Sequence, residues 1–133
     1  MANPYEVATS VVVQAVTVRR AGLIDLKDVV TLFEAELAGA PVEWLQWDEE
    51  EHHRLTGFVV NLLVNPAVAA LVAYDGERPI GQAIVQVLAR AYGKPRLVAE
   101  GITWYVHPDY RGGWVAAELY RQGEAFALAS GAK

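Results

Sequence analysis

The chain has 133 residues, within the range of one domain and enough to bury a core. Hydrophobic residues make up 53% and charged residues 20%, and a net charge of −5 with no basic cluster excludes a nucleic-acid binder that relies on a cationic face. The absence of cysteine excludes a disulfide framework, a thiolate nucleophile and a Cys-ligated zinc, and agrees with a reducing, cytoplasmic compartment.

Residues 1–10 lack the basic start and apolar core of a signal peptide and read as a flexible arm before a single domain over 11–133. Val11 to Arg20 alternates and is rich in β-branched residues, which predicts the first strand. Asp25 is placed to cap a helix over Leu26 to Leu37, with Leu26, Val29, Val30, Phe33 and Leu37 as its stripe. Gly39-Ala40-Pro41 ends that helix. Asp48 caps a second one, whose first-turn Glu49, Glu50 and Glu51 match the helix dipole. Its apolar side is Leu55, Phe58, Val59, Leu62 and Leu63, and Asn65-Pro66 stops it. The apolar run from Phe58 to Tyr74 is broken by Asn61, Asn65 and Pro66, so it reads as a helix end and a strand and predicts no membrane span.

Strands over Ala69 to Tyr74 and Pro79 to Leu88 flank Asp75-Gly76-Glu77-Arg78, a hairpin turn. Tyr92-Gly93-Lys94-Pro95 turns the chain into a strand over Val98 to Val106, where the alternation puts Glu100, Ile102, Trp104 and Val106 on one face. His107-Pro108 ends this strand. A helical pattern then runs from Val115 through Leu119 and Phe126 to Gly131, a C′ glycine.

Between that strand and that helix lies Arg111-Gly112-Gly113. A glycine-bearing loop that opens a helix collects free backbone N–H groups at the positive end of the helix dipole, a ready place for phosphate. The run Val106-His107-Pro108-Asp109-Tyr110-Arg111-Gly112-Gly113-Trp114-Val115-Ala116 resembles the acetyl-coenzyme A signature of the GNAT N-acetyltransferases. In that family V-x-P-x-x-R leads into R/Q-x-x-G-x-G/A at a helix start. Arg111 fits the first position and Ala116 the last, while Trp114 stands where the family has its central glycine. A glycine there lets the backbone approach a pyrophosphate or take a positive φ, which tryptophan does not do cheaply.

The resemblance extends to the element order over most of the chain. It implies an α/β (α+β) class with a mixed sheet of about four strands and three helices, ordered β-α-α-β-β-β-α. The family's fifth strand, a further helix and two closing strands have no counterpart before Lys133. It further implies acetyl-CoA as cofactor. The backbone of Gly112, Gly113, Trp114, Val115 and Ala116 would hold the pyrophosphate, Arg111 would add charge, and the strand backbone at Tyr105 and Val106 would pair with the pantetheine arm. The alternative for the loop is an ordinary turn whose glycines only reverse the chain.

Glu100 lies six residues before Val106, where the histone-acetylating branch of the family places its general base. An ammonium cannot attack a thioester until it loses a proton, and a partly desolvated carboxylate suits that task. The other reading is a strand-end glutamate facing water or pairing with Arg19, Arg20 or Arg96. The family tyrosine that protonates the leaving thiolate sits on the missing helix, and neither Tyr105 nor Tyr120 matches it. His52 and His53 point about 100° apart on a helix, and Glu49 with His53 lacks a third metal ligand. His107 sits beside the loop as a turn residue or a phosphate contact. Trp44 and Trp47 fall in the segment that forms one acceptor wall in this fold, and interface or core packing is the other use of such residues. No nucleophile elbow or Ser-His-Asp order supports hydrolysis.

Two functions follow. One is an acetyl-CoA-dependent N-acetyltransferase acting on a small-molecule or peptide amine by direct attack on the thioester. The other is a GNAT-like module without catalysis, serving in an assembly such as a phage virion, with or without coenzyme A. An open edge of Ile, Thr, Trp, Tyr and Val along 98–106 invites pairing, so a homo-oligomer or a protein partner covering it is expected. Neither reading involves nucleic acid or membrane.

Overall fold

The near-continuous apolar run of β2 (Val68–Asp75) is the sequence of a strand covered on both sides, and every residue from Val68 to Tyr74 is buried. In the computed structural model, which describes residues 16–39, 48–90, 92–93 and 96–132, β2 lies inside a four-stranded sheet. Its neighbours are β1 (Val16–Arg20) and β3 (Arg78–Ala89), and β4 (Leu97–Val106) follows β3, giving the order β1-β2-β3-β4. Each neighbouring pair is antiparallel. Three helices complete the fold: α1 (Leu26–Ala38), α2 (Glu49–Val64) and α3 (Trp114–Ala129). The strand and helix order is the one expected from the sequence. Of the expected first strand only Val16–Arg20 falls within the described residues, and the arm, Trp44 and Trp47 lie outside them.

Helices cover both faces. Val29, Val30, Leu32 and Phe33 of α1 and Val59 and Leu62 of α2 pack on Val68, Ala70, Val72, Tyr74 and Ile84. On the opposite face Val115 and Leu119 of α3 pack on Leu71, Ala73, Ala83 and Val106. Leu119 is fully buried, and a side chain of that size contributes about 1.5–3 kcal/mol on burial. The buried positions of α3 are Val115, Leu119, Gly123 and Ala127, a four-residue repeat in which the glycine matters. A Cβ at Gly123 would stand 3.0 Å from Cγ2 of Val85, so its absence lets α3 lie close on the sheet.

The local signals were used, with one exception. Asp48 caps α2 by accepting from the Glu51 N–H at 2.9 Å. Gly76, with φ +62°, turns β2 into β3. Gly131, with φ +92°, closes α3 in a Schellman arrangement, Ala132 N–H donating to the Ala127 carbonyl at 3.0 Å. Asp25 is the exception, since its carboxylate does not cap α1. It accepts instead from both terminal nitrogens of Arg19 at 2.8 and 3.0 Å, from Gly22 N–H at 3.0 Å and from the Tyr74 hydroxyl at 3.3 Å. Charge-assisted and buried donors outcompete an exposed helix amide. The Arg19 hydrogen bonds hold Asp25 down to about 2, while burial and a hydrogen bond to Asp28 push Tyr74 well up.

The strand β4 departs from the simple alternation. Its register against β3 slips between Ile84 and Val85, so that Thr103 faces Ile84 and Gly101 faces Val85 with Ile102 as the extra residue. Glu100 therefore pairs with Gln86 and Trp104 with Ala83, an odd number of places apart on β3. Glu100 and Ile102 lie on the α1 face, and Trp104 and Val106 on the α3 face. The four residues expected on one face are split by the bulge.

Candidate functional site

Two regions along β4 carry the groups that could do chemistry. The first is the loop at its C-terminal end. Pro108–Tyr110 forms a single 3-10 turn, and the Tyr110 hydroxyl donates to Asp75 at the hairpin, anchoring the loop to the sheet. That hydrogen bond raises the Tyr110 phenol above its ordinary value. His107 is already engaged in the turn, its Nδ1 accepting from the Asp109 N–H at 3.1 Å and its Nε2 lying 3.2 Å from Arg78.

Arg111 donates from Nε to the Val106 carbonyl at 2.7 Å and lies over the Tyr105 ring at 5.7 Å. Its terminal nitrogens have no hydrogen-bond acceptor among the described residues. Gly112 takes φ +83°, the left-handed conformation that favours glycine. Gly113 is the N-cap of α3 and carries no capping side chain. The N–H groups of Gly112, Gly113, Trp114, Val115 and Ala116 have no acceptor among the described residues. Trp114 is the first helical residue and 48% exposed. The positive φ of this loop falls on Gly112, so tryptophan at position 114 meets no backbone conflict.

Backbone direction along β4 follows from the His107 N–H bond to the Ile80 carbonyl at 2.7 Å. In an antiparallel pair the inward and outward groups alternate. Tyr105 thus exchanges its groups with Gln82 of β3, while Trp104 and Val106 present theirs to the outer edge. Among the described residues no strand pairs with that edge. Arg111 occupies the Val106 carbonyl, which leaves the Val106 N–H and both groups of Trp104.

The second region is a groove of about 590 Å³ that wraps the edge of β4 around the bulge, from α1 on one face to α3 on the other. Glu36, Glu100, Thr103, Trp104, Tyr120 and Glu124 bring the polar and aromatic groups into it. Thr103 donates to Glu36 Oε2 at 2.5 Å. Trp104 and Tyr120 stack with centroids 5.3 Å apart at 27°. Glu100 is exposed and forms no ion pair with the described arginines. Six residues separate it from Val106, about 20 Å of strand, so the loop and the carboxylate stand at two ends of one edge.

Sequence reasoning singled out Glu100 and the loop but missed the rest of the groove. Glu36, Trp104, Tyr120 and Glu124 meet only through the packing of α1, β4 and α3, and no short spacing announces that. His52 and His53 lie elsewhere, His52 Nδ1 3.1 Å from Glu34 and His53 Nε2 3.8 Å from Glu49.

Comparison with known proteins places this geometry. Residues 29–133 match the model of the acetyltransferase (GNAT) family. An acetyltransferase from Vibrio fischeri superposes with a TM-score of 0.65 at 22% identity, over 88% of this chain and 90% of that one. A predicted acetyltransferase with acetyl-CoA from Clostridium acetobutylicum gives 0.73 at 18% identity, over 86% and 75% of the two chains. An aminoglycoside antibiotic 6'-N-acetyltransferase from Acinetobacter haemolyticus, in its apo form, gives 0.65 at 24% identity, over 86% and 72%. A sequence search among curated proteins finds no match.

Proposed function

The chain belongs to the GNAT acetyltransferase family, and from that premise we propose that it is an acetyl-CoA-dependent N-acetyltransferase acting on an amine. The observation that carries this reading is the loop at the start of α3, where unpaired backbone N–H groups and the free terminal nitrogens of Arg111 converge. A donor set of amides and one guanidinium suits an anion such as a pyrophosphate. Gly112, Gly113, Trp114, Val115 and Ala116 would hold it by their backbone. The outward N–H of Val106 and the backbone of Trp104 would meet the pantetheine arm, and Tyr105 would support Arg111 from below. Bound acetyl-CoA supplies an activated carbonyl and a thiolate leaving group.

Glu100 takes the proton. An acceptor amine enters as an ammonium and must become neutral before its lone pair can form the new C–N bond. Glu100 lies in the groove beside the bulge, exposed enough to reach solvent and, among the described residues, with no arginine bonded to its carboxylate. Glu100→Gln removes the base and leaves the groove's shape. The expected outcome is a fall in kcat of about a hundredfold or more with the acetyl-CoA affinity unchanged, read by thiol release with a primary amine. An unchanged rate across pH 6 to 9 would remove Glu100 from the mechanism.

A second reading is favoured by one observation, the edge of β4 with which no strand pairs among the described residues, Leu97 and Trp104 being exposed on it. It makes the domain a noncatalytic assembly module whose edge pairs with a protein partner or a second copy. It requires an oligomer or complex in solution and no acetyl transfer.

A further inference from the structure

The acceptor groove has a charge of one sign. Glu36 comes from α1, Glu100 from β4 and Glu124 from α3, and among the described residues no lysine, arginine or histidine lines the groove with them. Glu36 is oriented by the Thr103 hydroxyl, and neither Glu100 nor Glu124 has a hydrogen-bond or ion-pair partner among the described residues. On the α3 side of the groove, with Glu124, the Trp104 and Tyr120 rings stack and stay 49% and 54% exposed. Carboxylates and aromatic faces both attract organic cations. The cationic group of the site, Arg111, stands at the far end of β4 beside Val106. The edge is thus polarised, with its positive end at the loop and its negative end at the groove.

Resting on the acetyltransferase reading above, we propose that this groove selects an acceptor that carries at least two ammonium groups, a polyamine-like cation. A second charge lets the groove hold the acceptor through the step. The reacting ammonium gives one proton to Glu100, its nitrogen forms a C–N bond to the acetyl carbon as the C–S bond breaks, and the second proton that nitrogen sheds on becoming an amide passes to the departing thiolate. That nitrogen is neutral when it attacks, so charge recognition through it is lost at the moment it is needed. An ammonium that keeps its proton remains held by Glu36 or Glu124 and the Trp104–Tyr120 wall throughout. Acetylation then removes one positive charge from the product and favours its release.

Glu124 is the place to test this, since it is exposed on α3 and takes no part in the proton transfer. Spermidine binding to the whole chain is measured by calorimetry with and without acetyl-CoA, alongside acetyl transfer to spermidine and to n-butylamine. Spermidine binds, its kcat/KM exceeds that of n-butylamine by on the order of tenfold, and Glu124→Gln lowers spermidine affinity on the order of fivefold. Added salt weakens the preference. If spermidine does not bind, or if the two amines react equally well in both proteins, the inference fails even where acetyl-CoA binds. Absence of acetyl-CoA binding with spermidine still bound would strike the acetyltransferase reading instead.

Discussion

The conformation of Gly112 permits a sharp test of the phosphate loop. At φ +83° an alanine is disfavoured by about 1–2 kcal/mol. No atom lies within 4 Å of the added Cβ, so this conformational term is the whole effect. The residue is exposed and precedes the N-cap of α3, with nothing packed against it to hold a strained backbone. The variant loop therefore relaxes to negative φ, and the binding-competent form becomes the minor one. Apparent affinity falls with its population, about 5–30-fold for 1–2 kcal/mol. Acetyl-CoA calorimetry on Gly112→Ala should show that loss, with urea unfolding changed by less than about 0.5 kcal/mol. Gly76→Ala is the comparison, since Gly76 has φ +62° and equally open surroundings but is fixed by the β2–β3 register. There the strain is held, so stability falls by about 1 kcal/mol and acetyl-CoA affinity stays. Wild-type affinity in Gly112→Ala would refute the assignment of the loop to the pyrophosphate.

Other consequences follow from the same geometry. Trp114→Gly lets the backbone come closer to an anion while costing about 1 kcal/mol of helix stability. Acetyl-CoA affinity should rise as the thermal midpoint falls, and a fall in both would show the tryptophan to be a contact and not an obstruction. Asp25 lies at about 2 against an ordinary 3.8 because Arg19 bonds it, worth about 2 kcal/mol, discounted to about 1–2 because the Arg19 side chain is half exposed. A depressed carboxylate stabilises fully above its unfolded value and loses that stabilisation as pH falls through its folded one. Asp25→Asn should thus be less stable than the native chain at pH 7 and nearly equal to it near pH 2, and a pH-independent difference would contradict the ion pair. Gln82 is fully buried in β3, and among the described residues neither side-chain polar atom has a hydrogen-bond partner. Gln82→Leu should raise stability by about 1 kcal/mol in urea unfolding, and a loss of that size would reveal a partner for the carboxamide.

How much of this was legible in the chain depends on the range of the interaction. Asp48 before three glutamates, Asp75-Gly76-Glu77-Arg78 between apolar runs, and Gly131 after a helical stripe each act over a few residues, and each appears where its pattern put it. The loop after β4 was legible for the same reason, since glycine, helix start and family motif lie together. Asp25 misled because its competing donors come from Arg19 and Tyr74, the latter 49 residues away. The β4 bulge was invisible to a period of two, because the extra residue is defined only against the partner strand. The groove was hidden more deeply. Its carboxylates come from positions 36, 100 and 124, and only the meeting of α1, β4 and α3 makes them neighbours.

The most direct measurement is a titration of acetyl-CoA into the purified chain by calorimetry, with the mass in solution determined on the same sample. An acetyltransferase loop predicts one site per chain with micromolar affinity, about −8 kcal/mol, weakened by salt as a pyrophosphate contact must be. No heat at millimolar acetyl-CoA, from a folded sample of defined mass, would contradict the assignment and leave the fold to serve through its edge.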